Sequence, residues 1–505
     1  MKYLKIISIF LSVASVLNAA DRPNVILIYA DDLSKGMLSA YGQKQFTTPA
    51  IDRLFNGGVS FNYAYGSGFS YTALASLITG YNDYSTKNRR ISKGGAFEVI
   101  DTMMITKMEQ FIEGSNTALP HNDYYLPQLF SAAGYMTAQI GMLGWGKTTS
   151  RAQIKSHGWD YFYGYLDHKR SKGYYPPFLF ENGNVVFVEG NTRSDCGRSI
   201  MPETQTAFDD RHNIEGKAVY APDLFLEKSL AFIRQNKSVP FFLMYSSPLP
   251  HGPVAVPAID AEIAANDNLS QIEKEYASMI KYFDNQIDII IKEIQSLGIE
   301  KNTLIVFTSG NGHEICYRQD GRIEAPYIDK SNKSRFDGSY SKYYGYKAGD
   351  VFNGNGDLAG LKGSNLEGGI RVPLVFYQKG KLTKRSSDEI VAGYDFLPMM
   401  ADMLNVKLIF PKDGESYLKT LTKNSRLPKN KYIVVTADEG PAIIGNDGWK
   451  LRYFSPKKTY ELYDIRKDPA EKYDLSMRYP EKVEAMTKKL LEMTGGNLMS
   501  GVIYD

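Results

Sequence analysis

The chain runs to 505 residues, of which 43% are hydrophobic and 23% charged, with a formal net charge of +3. That length is enough for two domains, and the composition is ordinary for a globular protein. A charge so close to balance supplies no field for nucleic acid or an anionic membrane, so neither is expected as a partner.

At the N-terminus, Lys2 and Lys5 precede an apolar run from Ile6 to Leu17, and Ala19 and Ala20 offer small residues for cleavage before Asp21. The pattern predicts a signal peptide over residues 1–20 and an exported mature chain, periplasmic or extracellular. The run is too short to span a bilayer, and no later run is long and apolar enough to be a transmembrane segment. Two cysteines, Cys196 and Cys316, have no metal-site spacing. In an oxidising compartment they could pair, and their separation leaves that open.

The mature chain begins with a continuous apolar run, Asn24 to Tyr29, followed by Asp31 and Asp32. Such a run fits a strand buried on both faces. Similar runs recur at 135–140, 240–245, 303–308 and 372–377. Between them, Ile272, Tyr276, Ile280, Phe283, Ile287, Ile291 and Ile294 fall on one helix face, which Gly298 ends. Alternating strands and helices predict a doubly wound α/β sheet over residues 21–410, with ligands beyond the carboxyl ends of its strands. Residues 318–355 are rich in Gly, Tyr, Lys and Ser and read as a long loop. From 411 to 505 the pattern changes to short strands at 431–437, 449–454 and 460–465, then a helix near 480–494. This predicts a smaller C-terminal α+β subdomain.

Several blocks occur in a specific order. They are Arg22 to Leu33, Thr48 to Leu54, Ala75 to Gly80, Pro250 to Pro253, Lys362, Glu367 to Pro373, Asp395 to Pro398, Asp413 to Ser416, and Glu461 to Asp464 with Asp468 and Pro469. The ordered set resembles the sulfatase family. The resemblance implies an alkaline-phosphatase-like fold and hydrolysis of sulfate esters, commonly on sulfated carbohydrates. It also implies a divalent cation, usually calcium, and a formylglycine nucleophile made from Cys or Ser. Hard oxygen ligands suit such a cation. Asp31, Asp32 and Asn311 fall at metal positions, Ser70 at the nucleophile, and His251 and Lys362 at positions beside the sulfate.

Other positions depart from the family. Around Ser70, Thr72 stands in place of Pro or Ala, and Leu74 in place of Arg, so Ser70 is expected to stay serine. Gly310 stands in place of a metal carboxylate, which weakens calcium binding through ligand number and charge. Glu314 lies nearby in sequence as a substitute ligand, and Gly310→Asp is expected to restore affinity. After the 135–140 run, Met142 replaces a lysine and Gly144 a histidine, with Lys147 just beyond. Ala359 replaces an arginine seen in many carbohydrate sulfatases. Catalytic groups act as a unit, so their joint loss predicts a degenerate member that binds a sulfated carbohydrate or other small sulfate ester rather than cleaving it. The alternative is an active sulfatase or related ester hydrolase with a rearranged metal site.

Overall fold

The structure, a computed structural model, describes residues 22–85, 123–143, 151–166, 168, 170–193, 195, 203–319, 322–323 and 342–499. The signal-peptide expectation over 1–20, the segment Gly144 to Lys147, and Cys196 lie outside these residues. Cys316 is buried with a free thiol.

Strand β1 (Asn24–Ala30) is buried along its whole length. It pairs in parallel with β7 (Phe241–Ser246) on one side and β8 (Thr303–Ser309) on the other. Beyond β7 the sheet continues in parallel through β3 (Met136–Met142) and β4 (Tyr161–Tyr165), then antiparallel through β5 (Phe178–Glu181) and β6 (Asn184–Phe187). Beyond β8 lie antiparallel β10 (Leu374–Tyr377), then β2 (Val59–Tyr65) and its parallel neighbour β11 (Arg385–Ala392). With β9 (Arg371–Val372), the described residues form a mostly parallel sheet of eleven strands. The apolar run at 372–377 is split at Pro373, which has no N–H for the ladder.

Alternation along β1 feeds two cores. Ile26, Ile28 and Ala30 pack into one cluster, and Val25, Leu27 and Tyr29 into the other. The first cluster receives α1 (Pro49–Gly57) and α3 (Gln271–Ser296), and the second receives α2 (Ser70–Thr79). Helix α3 starts at a capping box between Ser270 and Glu273 and ends before Gly298 at φ 72. Each large side chain on its buried face contributes roughly 1.5–3 kcal/mol of gross apolar burial, so this face, rather than helix propensity, holds it to the sheet.

A second sheet is antiparallel, in the order β12 (Tyr432–Val435), β13 (Ala442–Gly445), β14 (Trp449–Phe454) and β15 (Thr459–Asp464). Helix α4 (Pro480–Thr494) covers it through Met486 and Leu490. The four-residue β13 was not among the sequence-predicted strands. Its cue is the Asn446-Asp447-Gly448 turn that follows it. No helix among the described residues is long and apolar enough to cross a membrane.

Candidate active site

The parallel strands all point their carboxyl ends at one place, and the chemistry-bearing residues follow those ends. Asp31 and Asp32 follow β1, Ser70 follows β2, His251 lies five residues past β7, and Asn311 and Glu314 follow β8. Asp32 has φ 60, a left-handed conformation that Asp tolerates better than most residues. The turn is fixed by the Asp31 N–H donating to the Leu249 carbonyl (3.2 Å) and the Leu33 N–H donating to Ser309 Oγ (3.1 Å).

Ser70 is the first residue of α2 and is buried. Its hydroxyl lies against both Asp31 Oδ1 and Asn311 Oδ1. One hydroxyl proton cannot serve two acceptors at once. Burial, then the charge of Asp32, pushes the Asp31 carboxyl up to about 8, against the pull of Lys362, Ser70 and Lys172. The Ser70 hydroxyl donates to Asp31 or to Asn311, and the bond to Asp31 favours the ionised carboxylate. Asn311 Nδ2 in turn donates to Asp32 Oδ1 at 2.8 Å.

Lys362 Nζ sits at the centre of a second group, 2.8 Å from Asp32 Oδ2, 2.8 Å from Glu314 Oε2 and 2.9 Å from His251 Nε2. His251 Nδ1 faces the Gly252 carbonyl, so Nδ1 carries the proton and Nε2 accepts from the ammonium. Burial first, then Lys362, lowers the His251 pKa to about 3, so the ring stays neutral. Burial alone would raise the pKa of Asp32. Lys362, Glu314 and Asn311 outweigh it and keep Asp32 ionised. Burial likewise opposes the charge on Lys362, but Asp32, Glu314 and Asp31 raise its pKa well above the usual lysine value.

All six residues expected from the sequence, Asp31, Asp32, Ser70, His251, Asn311 and Lys362, therefore meet in one buried cluster. Glu314 joins them: its carboxylate, one Asp32 oxygen and a His251 ring nitrogen lie within 4.8 Å of one another. Two further residues come from the loop after β4, His168 and Lys172. A His168 ring nitrogen lies within 4.8 Å of an Asp31 oxygen and a His251 nitrogen. The charge of Lys172 is felt by Asp31, and Lys172 in turn feels Lys362, Glu314, Asp32 and Asp31. Sequence reasoning counted only His251 and Lys362 beside the sulfate, because only these mapped onto the family's motifs; the β4 segment was not read as a strand either. Its signal is weak: Tyr161 to Tyr165 is four aromatics and a glycine.

The departures from the family are built into the packing. Met142 is buried, and its carbonyl accepts from Ser246 Oγ (2.6 Å) and Gln139 Nε2 (2.7 Å). Leu74 is buried in the apolar cluster below α2. Thr72 Oγ1 donates to Ser67 Oγ (2.7 Å) or the Phe69 carbonyl (2.8 Å). Ala359 is fully buried. A Cβ at Gly310 would meet Tyr29 Oη at 2.5 Å, Ser70 Cα at 2.7 Å and Ser70 Oγ at 2.8 Å. Restoring an aspartate at 310 is thus not the simple gain of a ligand that the sequence suggested, since Tyr29 and Ser70 must move first.

Comparisons with known proteins identify the family and the fold. The family model described as Sulfatase matches residues 23–406. An N-acetylgalactosamine-6-O-sulfatase of Bacteroides thetaiotaomicron is 24% identical, with 93% of each chain covered. Arylsulfatase A of Homo sapiens is 23% identical, covering 98% of this chain and 92% of its own. Among solved structures, Ps i-CgsB in complex with k-i-k-neocarrahexaose is 22% identical with a TM-score of 0.70, covering 96% of this chain and 95% of that one.

Proposed function

The chain belongs to the sulfatase family, and we propose that it is an exported member that holds a sulfated carbohydrate without cleaving it. It is related to carbohydrate sulfatases. The observation that carries the reading is the filled space at Gly310, where Tyr29 Oη and Ser70 stand within 2.5–2.8 Å of the missing Cβ. A site kept for hydrolysis needs charge and a nucleophile there together. This one has closed over the lost carboxylate, while Leu74 and Thr72 have been absorbed into packing. Ser70 is proposed to stay serine, and an unmodified hydroxyl is a weak nucleophile at neutral pH.

The remaining donors fit a hard divalent cation. Asp31 Oδ2 is buried with no hydrogen-bond partner among the described residues, while Asp31 Oδ1 and Asn311 Oδ1 both lie against Ser70 and Asn311 bonds Asp32. Those three residues would hold calcium, bound more weakly for want of a carboxylate at Gly310. When bound, such an ion fixes and polarises a sulfate group. The chain's own residues do the rest: Lys362 presents charge, and neutral His251, held in one tautomer by the Gly252 carbonyl, orients that ammonium through Nε2.

A second reading, an active hydrolase with a rearranged metal site, is favoured by Glu314. Its carboxylate stands in the cluster and restores the number of acidic groups lost at Gly310.

Sulfate release from a panel of sulfated sugars and an aryl sulfate separates the two. The protein should be expressed in a host that matures serine-type sulfatases. The non-cleaving reading expects no release above background. Metal-dependent release that Ser70→Ala abolishes would establish the second reading instead.

A further inference from the structure

Strands β3 and β4 bring the chains that follow them to the same end of the sheet. In this sheet β3 and β4 are parallel neighbours in register, with Met142 opposite Tyr165. The Leu143 N–H donates to the Tyr165 carbonyl at 2.9 Å, so the chains leaving the two strands start side by side. A residue lost from the first can therefore be replaced from the second with no change in the sheet.

The loop from Leu166 to Gly173 is tied down at both ends. Tyr165 Oη donates to the Gly173 carbonyl at 2.9 Å. Tyr174 Oη bonds the Pro248 carbonyl at 3.1 Å and the His251 carbonyl, which fixes the loop to the turn that carries His251. Inside the loop, Ser171 Oγ donates to the His168 carbonyl at 2.6 Å. Arg170 turns the other way, its guanidinium 4.0 Å above the Phe178 ring. Of the other described basic residues of the loop, His168 lies against Asp31 and His251, and Lys172 is near enough for its charge to act on Asp31 and His251. The His168 ring stands perpendicular to that of His251, centroids 6.0 Å apart, and 5.3 Å from the ring of Tyr71, next to Ser70.

From this geometry we infer that His168 and Lys172 bind the sulfate group of the ligand, Lys172 supplying the charge absent at Met142 and His168 the ring nitrogen absent at Gly144. The inference rests on the reading of the chain as a binder of sulfated carbohydrate and assigns its anion contacts. Burial lowers the pKa of both side chains. His168 acts as a neutral imidazole that donates one hydrogen bond. Lys172 sits between the repulsion of Lys362 and the attraction of Glu314, Asp32 and Asp31, and a bound sulfate monoanion adds a further charge in favour of its ammonium form. Charge-assisted hydrogen bonds of this kind are the strong ones.

Calorimetric titration tests the assignment, with inorganic sulfate, N-acetylgalactosamine 6-sulfate and unsulfated N-acetylgalactosamine as probes. The full chain should bind the sulfated sugar. Lys172→Met and His168→Phe should each weaken that binding by about tenfold or more, as expected for loss of a hydrogen bond to a charged group. Lys172→Arg should keep most of it, and thermal unfolding should show each variant folded. Binding of the unsulfated sugar should not change. Equal binding of the sulfated sugar by the parent and both variants would overturn the inference and leave the binding function standing. Failure of the parent protein to bind either sulfated sugar or sulfate would overturn both. Sulfate release by the parent would sink only the non-cleaving reading.

Discussion

Tyr29 and Gly310 stand against each other at the end of the β1–β8 ladder, which pairs Tyr29 with Thr308 and ends at Ser309. The Tyr29 hydroxyl, donating to the Ser70 carbonyl at 3.1 Å, stands 2.5 Å from where a side chain at 310 would begin. No heavy atoms pack that closely, so a larger residue at 310 must displace the tyrosine or the start of α2.

Gly310→Asp alone should therefore destabilise the protein by about 1–3 kcal/mol, the usual cost of overpacking a tight core. It should not raise calcium affinity. Combining it with Tyr29→Phe removes the nearest atom and should recover part of the stability. Denaturant unfolding gives the first quantity and calcium titration the second. A single Gly310→Asp variant with parental stability and tighter calcium binding would show that Tyr29 does not close that space.

Ser70 should be recovered as serine by peptide mass spectrometry after expression with a maturation enzyme for serine-type sulfatases. Restoring the motif should be costly. Leu74 is 2% exposed within the apolar cluster below α2. Leu74→Arg buries an unpaired charge there and should cost about 3 kcal/mol or more. Thr72→Pro should be milder, since Thr72 lies in the first turn of α2, where proline is tolerated. A loss of two hydrogens at Ser70 in the parent chain would refute the first expectation.

Much of this site was legible because its residues follow apolar strand runs. Asp31, Asp32, Asn311 and His251 were assigned by the family resemblance, and each falls just past a strand read from a continuous apolar run. His168 and Lys172 were not, because they map onto none of its motifs, β4 is short and mixed and the loop after it has no spacing signal. The role of Tyr29 was not legible either. It is an inward residue of a buried strand, and only the folded chain brings its hydroxyl into the space beside Gly310. Likewise, that Glu314 reaches Asp32 and Lys362 depends on how the 311–314 turn folds back, which spacing does not determine.

Away from the site, Asp284 on α3 accepts from the backbone N–H groups of Ala50 (3.1 Å) and Ile51 (2.8 Å) at the start of α1. Burial pushes its carboxyl up from 3.8 to about 6, and the two N–H bonds only partly oppose this. A raised folded-state value means the native form holds the proton more tightly than the unfolded chain. Its contribution to stability is present in full below about pH 4 and is lost as pH rises through 6. Asp284→Asn should remove that pH dependence. The stability difference, parent minus variant, should fall by up to about 3 kcal/mol between pH 4 and 7 and stay flat above. Urea unfolding of both proteins across that range measures it, and a difference that rises with pH would contradict the assignment.

Calcium removal gives the last expectation. Asp31 Oδ2 has no partner and its carboxyl is raised to about 8 by burial and by Asp32, so the metal-free cluster carries an unmet demand for positive charge. Lys362 meets part of it, but its ammonium is already shared among Asp32, Glu314 and His251. A cation that binds only the folded state should add about 2.7 kcal/mol when its concentration reaches 100 times its Kd. The concentration at which stabilisation begins therefore reports the affinity. With Gly310 supplying no ligand, that onset should fall in the range of weak extracellular calcium sites, about 0.1–1 mM. Asp31→Ala should abolish the calcium-induced rise in Tm while costing little stability in chelator, because burial and Asp32 disfavour the charge on Asp31 when no ion is bound. A submicromolar onset that Asp31→Ala abolishes would show that the cation site is intact, and with it the case for an active enzyme would become the stronger one.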